Sequence, residues 1–342
     1  MKSRIIAFGL IVMLLTGCTD SGEAAVTVDD FSGVYAFVSK SEGNAYNDRM
    51  AQGFQEVIEE VGGNCVICSP EEAIAEAQIE ILQDLISQGV DSIAVAANDE
   101  DALNSVLLEA MEEGICVSTV DSDVNASARQ VFVNQADTGE VARTLMEAVY
   151  EITGGSGQWA ILSASSQATN QNAWIRAMRS VMEEETYQDL RLVDIVYGND
   201  ETEASKEKTE ELLENYPDLK VICVPTTMGL AAAAEVLAGQ ESTDVKIIGL
   251  GLPSTMSTYV RGDEAVCPYF YLWNPIELGR MSAYVSLALK EGTITGAEGE
   301  IFGAGDMGSF QIQANEDEAT EVVVAPLIRF DAENIGEWET LF

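Results

Sequence analysis

The sequence predicts an α/β protein of two doubly wound parallel-sheet domains, and three observations carry that prediction. Strand-length apolar runs alternate with amphipathic helix-length stretches from residue 33 to residue 290. The runs are apolar almost throughout, as strands of a parallel sheet covered on both faces must be. The alternation comes in two series of similar length, and a chain of 342 residues has room for roughly two domains.

In the first series the strand runs are 33–38, 64–68, 92–96, 116–120 and 130–133, with helices at 45–61, 74–88 and 100–113. Gly62-Gly63, Gly89 and Gly114 stand where those helices must stop. In the second series helix 138–150 leads to strand 159–163, helix 173–183 to strand 190–197, helix 202–215 to strand 219–224, and helix 229–237 to strand 245–250. A helix at 255–261 returns to an aromatic strand, 269–273, and helix 276–290 follows. The C-terminal remainder is then shared. Residues 31–134 with about 274–307 form the N-terminal domain, and 135–273 with about 308–342 form the C-terminal one.

Lys2 and Arg4 precede an apolar run from Ile5 to Leu15, and Leu15-Thr16-Gly17-Cys18 follows. A short basic segment, an apolar stretch too brief to span a bilayer and a small-residue cleavage site describe a secretory signal over residues 1–17. Cysteine directly after Gly17 predicts a lipoprotein signal, with Cys18 diacylated as the mature N-terminus. Two acyl chains give a stable anchor where one does not. Residues 18–30 are polar and acidic and read as a flexible tether. The rest is expected to sit outside the cytoplasm, held at the outer face of a bacterial cell membrane.

Seventeen basic and 58 acidic residues give a formal net charge of −41, and there is no histidine. Scarce Lys and Arg exclude nucleic acid as a partner, because phosphate backbones are bound by neutralising them. Absent histidine excludes Ser-His and Cys-His catalysis and His-ligated zinc. Beyond Cys18 the cysteines are Cys65, Cys68, Cys116, Cys223 and Cys267. Cys65-Val66-Ile67-Cys68 lies in a strand run, where three-residue spacing sends the two thiols to opposite faces, so all five read as small core residues. Acid/base chemistry by Asp121 and Asp123 with Lys40 is the enzyme alternative, but side chains two apart on a strand do not converge. Gly303-Ala304-Gly305-Asp306-Met307-Gly308 matches G-x-G-x-x-G without the strand-then-helix context that motif needs. No metal and no cofactor are expected.

Ligands of open parallel sheets sit beyond the carboxyl ends of the strands. The loops there hold Lys40-Ser41-Glu42-Gly43-Asn44, Asn98-Asp99, Asp121-Ser122-Asp123, Thr169-Asn170-Gln171-Asn172, Pro225-Thr226-Thr227 and Trp273-Asn274-Pro275. Each alone reads as helix capping. Together at one sheet edge they supply amides, carboxylates, a hydroxyl, a lysine and an indole, the set that a polyhydroxylated ligand requires.

These loops, behind a lipoprotein signal, resemble the type I periplasmic-binding-protein family, the sugar-binding subunits of ABC importers. Within it the chain is most similar to the branch of rhamnose-binding proteins and the autoinducer-2 receptor. Phe37-Val38-Ser39-Lys40, Val120-Asp121-Ser122-Asp123, Thr169-Asn170-Gln171-Asn172-Ala173-Trp174, Val224-Pro225-Thr226-Thr227, Leu250-Gly251-Leu252-Pro253 and Tyr271-Leu272-Trp273-Asn274-Pro275 carry the resemblance. It implies two Rossmann-like domains joined by a three-segment hinge, expected near 134–136, 271–273 and 308–311, and closure of the cleft on a monosaccharide. It also implies a permease with its ATPase as partner, and a monomer. Lys40, Asp121, Gln171 and Pro225 match the autoinducer-2 pocket, whereas Asn170 stands in place of aspartate and Thr227 in place of alanine. Those departures speak against autoinducer-2, and Thr169-Asn170-Gln171-Asn172, Leu250-Gly251-Leu252-Pro253 and Leu272-Trp273-Asn274-Pro275 resemble the rhamnose-binding members, which implies L-rhamnose, whose methyl group would meet Tyr46 or Trp273. Asn44, Asn98 and Asn274 complete the expected ligand set. An autoinducer-2 receptor and a sugar-sensing subunit of a membrane receptor are the alternatives.

Overall fold

The structure, a computed structural model, describes residues 33–240, 244–262, 264–315 and 318–342. The signal segment, the tether and Cys18 lie outside the described residues. The chain begins with β1 (Val34–Val38), α1 (Ala45–Glu60), β2 (Asn64–Cys68), α2 (Ala75–Gln88), β3 (Ser92–Val95), α3 (Asn104–Glu112), β4 (Cys116–Val120) and β5 (Val131–Asn134). It continues through α4 (Thr138–Thr153), β6 (Gly157–Ser163), α5 (Thr169–Val181), β7 (Leu190–Tyr197), α6 (Thr202–Asn215), β8 (Leu219–Val224) and α7 (Thr227–Ala238). After β9 (Lys246–Gly249), α8 (Pro253–Met256), β10 (Tyr269–Leu272) and α9 (Pro275–Glu291) come the short strands β11 (Ile301–Gly303), β12 (Ser309–Gln311), β13 (Gln313–Ala314), β14 (Thr320–Val323) and β15 (Ile328–Asp331), and α10 (Ile335–Trp338).

Two sheets result. The first runs β13-β14-β5-β4-β3-β1-β2, parallel from β14 to β2. The second runs β7-β6-β8-β9, all parallel, and β10 continues it through a single bridge, Leu250 to Tyr271, with β15 antiparallel beyond. In each sheet the order reverses at one point, between β1 and β3 and between β6 and β8. Such reversals leave a crevice at the strand ends. The loops bearing Lys40 and Asn170 leave β1 and β6 at these two points.

The CxxC residues separate as strand geometry requires. Cys65 packs on the core shared with α1 and α9, and Cys68 packs on the core under α2 and α3. Helices α1 and α9 cross in backbone contact. A Cβ on Gly53 would lie 2.0 Å from the Ile276 carbonyl oxygen, and one on Gly279 would lie 1.9 Å from that of Met50. Only glycine permits this approach, and it fixes Tyr46 at the start of α1 against Trp273 at the start of α9.

The chain passes between the halves three times, and the third passage differs from expectation. Residues 308–311 do not cross: β12 pairs with β11 beside α9, and β14 then pairs with β5 in the first sheet. The crossing falls at 324–327, between β14 and β15, where Val324 N–H donates to Asn134 O (2.9 Å) and Ala325 N–H to Gln135 O (3.3 Å). The helix expected at 255–261 is also shorter, ending at Met256. Helix α5 begins at Thr169, four residues before its apolar pattern does, because Asn170 accepts from the Gln171 N–H (2.9 Å) and satisfies a free donor of the first turn.

Candidate functional site

At the mouth between the two sheets a cavity of about 40 Å³ is walled by side chains of both halves. Asp121 is its centre. It sits just past β4 with φ +63°, a left-handed conformation that aspartate tolerates better than bulkier residues. The turn is held by Ser122 N–H to Val120 O (2.6 Å) and Asp121 N–H to Val133 O (3.2 Å). One Asp121 oxygen receives the Tyr46 hydroxyl (2.8 Å). The other meets the Lys40 ammonium (3.2 Å) and the Asn170 amide N–H (3.1 Å). Lys40 also reaches Asn170 Oδ1 (3.5 Å). Asn170 therefore donates to the anion and accepts from the cation, which a carboxylate in its place could not do.

Trp273 Nε1–H donates to the Tyr46 hydroxyl (2.7 Å), and its ring lies 5.9 Å from that of Trp174 and 6.3 Å from that of Tyr46. Burial, with the Asp121 charge next to it, pushes the Tyr46 phenol well above its ordinary range, so it remains a donor to Asp121. Gln171 is locked through its carbonyl oxygen, which accepts from Ser163 Oγ (2.6 Å) and Ala164 N–H (2.7 Å). Its amide N–H groups are what it offers to the cavity. Asn44 lines the same space while capping α1 through Tyr46 N–H (3.0 Å), and Pro225 and Thr227 close the floor at the end of β8.

Two residues expected at the cavity are placed otherwise. Asn98 donates to the Lys40 carbonyl (2.9 Å), bracing the loop that carries the lysine instead of reaching into the cavity. Asn274 caps α9, accepting from Ile276 N–H (3.0 Å). Three residues were missed. Trp174 faces the cavity from the buried side of α5. Asp200, after β7 with φ +54°, accepts from the Thr226 hydroxyl, and burial raises its carboxyl pKa against the opposing pull of Lys40. Gln78, fully buried, holds Ser39 O (3.0 Å) and Ala96 O (2.7 Å), and receives Asn98 N–H (2.9 Å). Asp200 follows a strand end, so the rule that found the other loops would have found it too.

The arrangement presents one cation, carboxylates, amides and indole faces to a space shared by two rigid halves. It holds no activated nucleophile; its chemistry is recognition of hydroxyl groups.

A family model for the periplasmic binding protein domain matches residues 35–294, and the chain belongs to that family. More narrowly, it is a sugar-binding protein of ABC transport, extracytoplasmic by family and not an enzyme. An ABC transporter solute-binding protein from Clostridium phytofermentas, solved with bound L-rhamnose, is 48% identical. The match covers 91% of this chain and 99% of that one, with a TM-score of 0.89. LsrB from Clostridium saccharobutylicum in complex with AI-2 shares the fold at 20% identity, covering 89% and 99% of the two chains with a TM-score of 0.84. The D-ribose/D-allose-binding protein of Pseudomonas aeruginosa is 25% identical over 224 residues, 63% of this chain and 69% of that protein.

Proposed function

We propose that this protein captures L-rhamnose between its halves and delivers it to a membrane permease driven by an ATPase. The observation that carries the reading is the 48% identity, over nearly the whole chain, to a protein solved with that sugar. The sugar hydroxyls take over the hydrogen bonds that Lys40, Asp121 and Asn170 make to one another, and Gln171 donates to a further hydroxyl. The methyl group lies against the Trp174, Trp273 and Tyr46 rings. Two bodies, 33–134 with 275–323 and 138–272 with 328–342, rotate about the three passages between them. The ligand favours the closed form only through contacts that both bodies make at once. The protein acts as a monomer, held to the membrane by a diacylated Cys18.

Titration calorimetry with L-rhamnose, D-ribose and AI-2 tests the ligand. L-rhamnose should bind at least ~100-fold more tightly than D-ribose, since a polar site rejects a ligand that leaves its groups unpaired. An absence of heat with L-rhamnose, or tighter binding of AI-2, overturns the assignment. Mass spectrometry of the membrane-extracted protein tests the anchor, which predicts a lipid-modified Cys18 and release of the Cys18→Ala variant into the medium.

A further inference from the structure

Beside the sugar cavity lies a second, larger chamber of about 720 Å³, against about 40 Å³ for the first. The small cavity admits a sugar only as the bonds that Lys40, Asp121 and Asn170 make to one another give way to it, whereas the large one is already in the size range of a small-molecule site. Asp121, Asn170 and Trp174 line both, so the two spaces meet at the cleft's central hydrogen bond. The second chamber is walled by α5 through Ala173 and Ala177, by the loop at Ala126, and by Gln135 and Glu321 at the hinge passages.

Gln135 is the decisive residue. It is 1% exposed, yet neither its amide oxygen nor its amide nitrogen has a hydrogen-bond partner among the described residues. Thr169 Oγ, on the same wall, is also buried and unpartnered. A buried amide left unpaired costs on the order of 1–3 kcal/mol, so these groups are set for a partner that both donates and accepts. Hydroxyls do both. Phe132, Ala177 and Trp174 supply apolar surface for the C–H side of a ring. Charge narrows the class further: Asp121 and Asp123 are paired with Lys40 and Arg129, which leaves Glu100, Asp137 and Glu321 against Arg176 among the lining groups and disfavours anionic occupants.

We infer that the cleft is a two-chamber site that accepts substituted ligands, with a rhamnosyl unit between Lys40 and Asn170 and a second, uncharged sugar unit in the chamber lined by Gln135. The inference rests on the monosaccharide reading above. The Asn170–Asp121 hydrogen bond is the neck; the glycosidic oxygen passes it by accepting the Asn170 amide N–H, while Asp121 keeps Lys40 and Tyr46 as partners.

Calorimetry on the protein with L-rhamnose, a neutral rhamnosyl disaccharide and a rhamnosyl disaccharide bearing a uronic acid tests it. The neutral disaccharide should bind within about tenfold of L-rhamnose or more tightly, and the acidic one at least ~10-fold more weakly than the neutral one, about 1.4 kcal/mol. Ala177→Trp and Ala126→Trp fill the chamber from opposite walls. Each should weaken the neutral disaccharide by at least ~10-fold and leave L-rhamnose within about twofold. Melting curves show which variant is folded, and either one alone decides the question. If L-rhamnose binds and the neutral disaccharide does not, or if the folded variants leave disaccharide affinity unchanged, the second chamber is not a sugar subsite. If L-rhamnose itself fails to bind, the monosaccharide assignment falls and this inference falls with it.

Discussion

On the first-half wall of the cleft the polar side chains are tied to one another: Lys40 to Asp121, Tyr46 to Asp121, Asn98 to the Lys40 backbone. On the second-half wall Gln171 is tied to its own strand end and Asp200 to Thr226, and Asn170 alone reaches across to both charges. The first wall carries an ion pair held in low-exposure surroundings. The second carries one cavity carboxylate, Asp200, which is tied to Thr226 and whose pKa burial raises. One half is thus a fixed charged platform, and the other reads what lies on it through amides.

Breaking the platform should have the largest effect. Asp121→Asn keeps the backbone conformation, which asparagine also tolerates, but leaves Lys40 without its counter-charge. Sugar affinity should fall by on the order of 100-fold, read by calorimetry, because truncating one partner of a buried pair costs ~2–5 kcal/mol. Unchanged affinity would mean the pair does not hold the ligand.

Making the second wall resemble the first is the next test. Asn170→Asp places a carboxylate 3.1 Å from Asp121, where like charges oppose closure. Affinity should drop roughly tenfold at pH 7.5 and recover toward pH 5 as the pair takes up a proton. A loss independent of pH would point to shape and not charge.

Several of these residues were legible in the sequence, and the reason is geometric. Lys40, Asp121 and Pro225 follow apolar runs that read clearly as strands, so the strand-end rule finds them. Trp174 was hidden because its helix reads as an ordinary amphipathic one, with the cavity face indistinguishable from the core face. The third passage was misplaced because β13 is only two residues long and β14 opens on Thr320 and Glu321, its two valines running on without a break into the 324–327 passage. Their pairing with β5 is set by contacts remote in sequence, which a local pattern cannot reveal. Asn98 and Asn274 looked like ligand groups because capping and recognition use the same side chains.

Smaller effects sharpen that last distinction. Asn274→Ala should cost about 1 kcal/mol of stability by removing the α9 cap, lowering the melting temperature by a few degrees while sugar affinity stays unchanged. A selective loss of affinity would return Asn274 to the binding set. The smallest effect is at Asp200. Its carboxyl pKa is raised in the folded protein, so stability declines as pH rises from the ordinary aspartate value of 3.8 through the folded value, and the penalty then stays constant. Asp200→Asn should therefore raise the melting temperature at pH 7 and leave it unchanged near pH 3. An equal shift at both pH values would assign the effect to packing.

The close approach of α1 and α9 at Gly53 and Gly279 has a consequence for how the protein is made. Helix α1 and the strand edge at β5 are synthesised early, but their partners, α9 and β14, come last; Asn134 and Glu321, hydrogen-bonded at the hinge, are 187 residues apart. The first half therefore lacks one covering helix and one edge strand until almost the whole chain has emerged. Contacts of such long sequence separation form slowly. A chain that must cross a membrane before it folds gains from this order: its early half stays open until its late segments have crossed as well, and the cleft is completed only on the side where it is used.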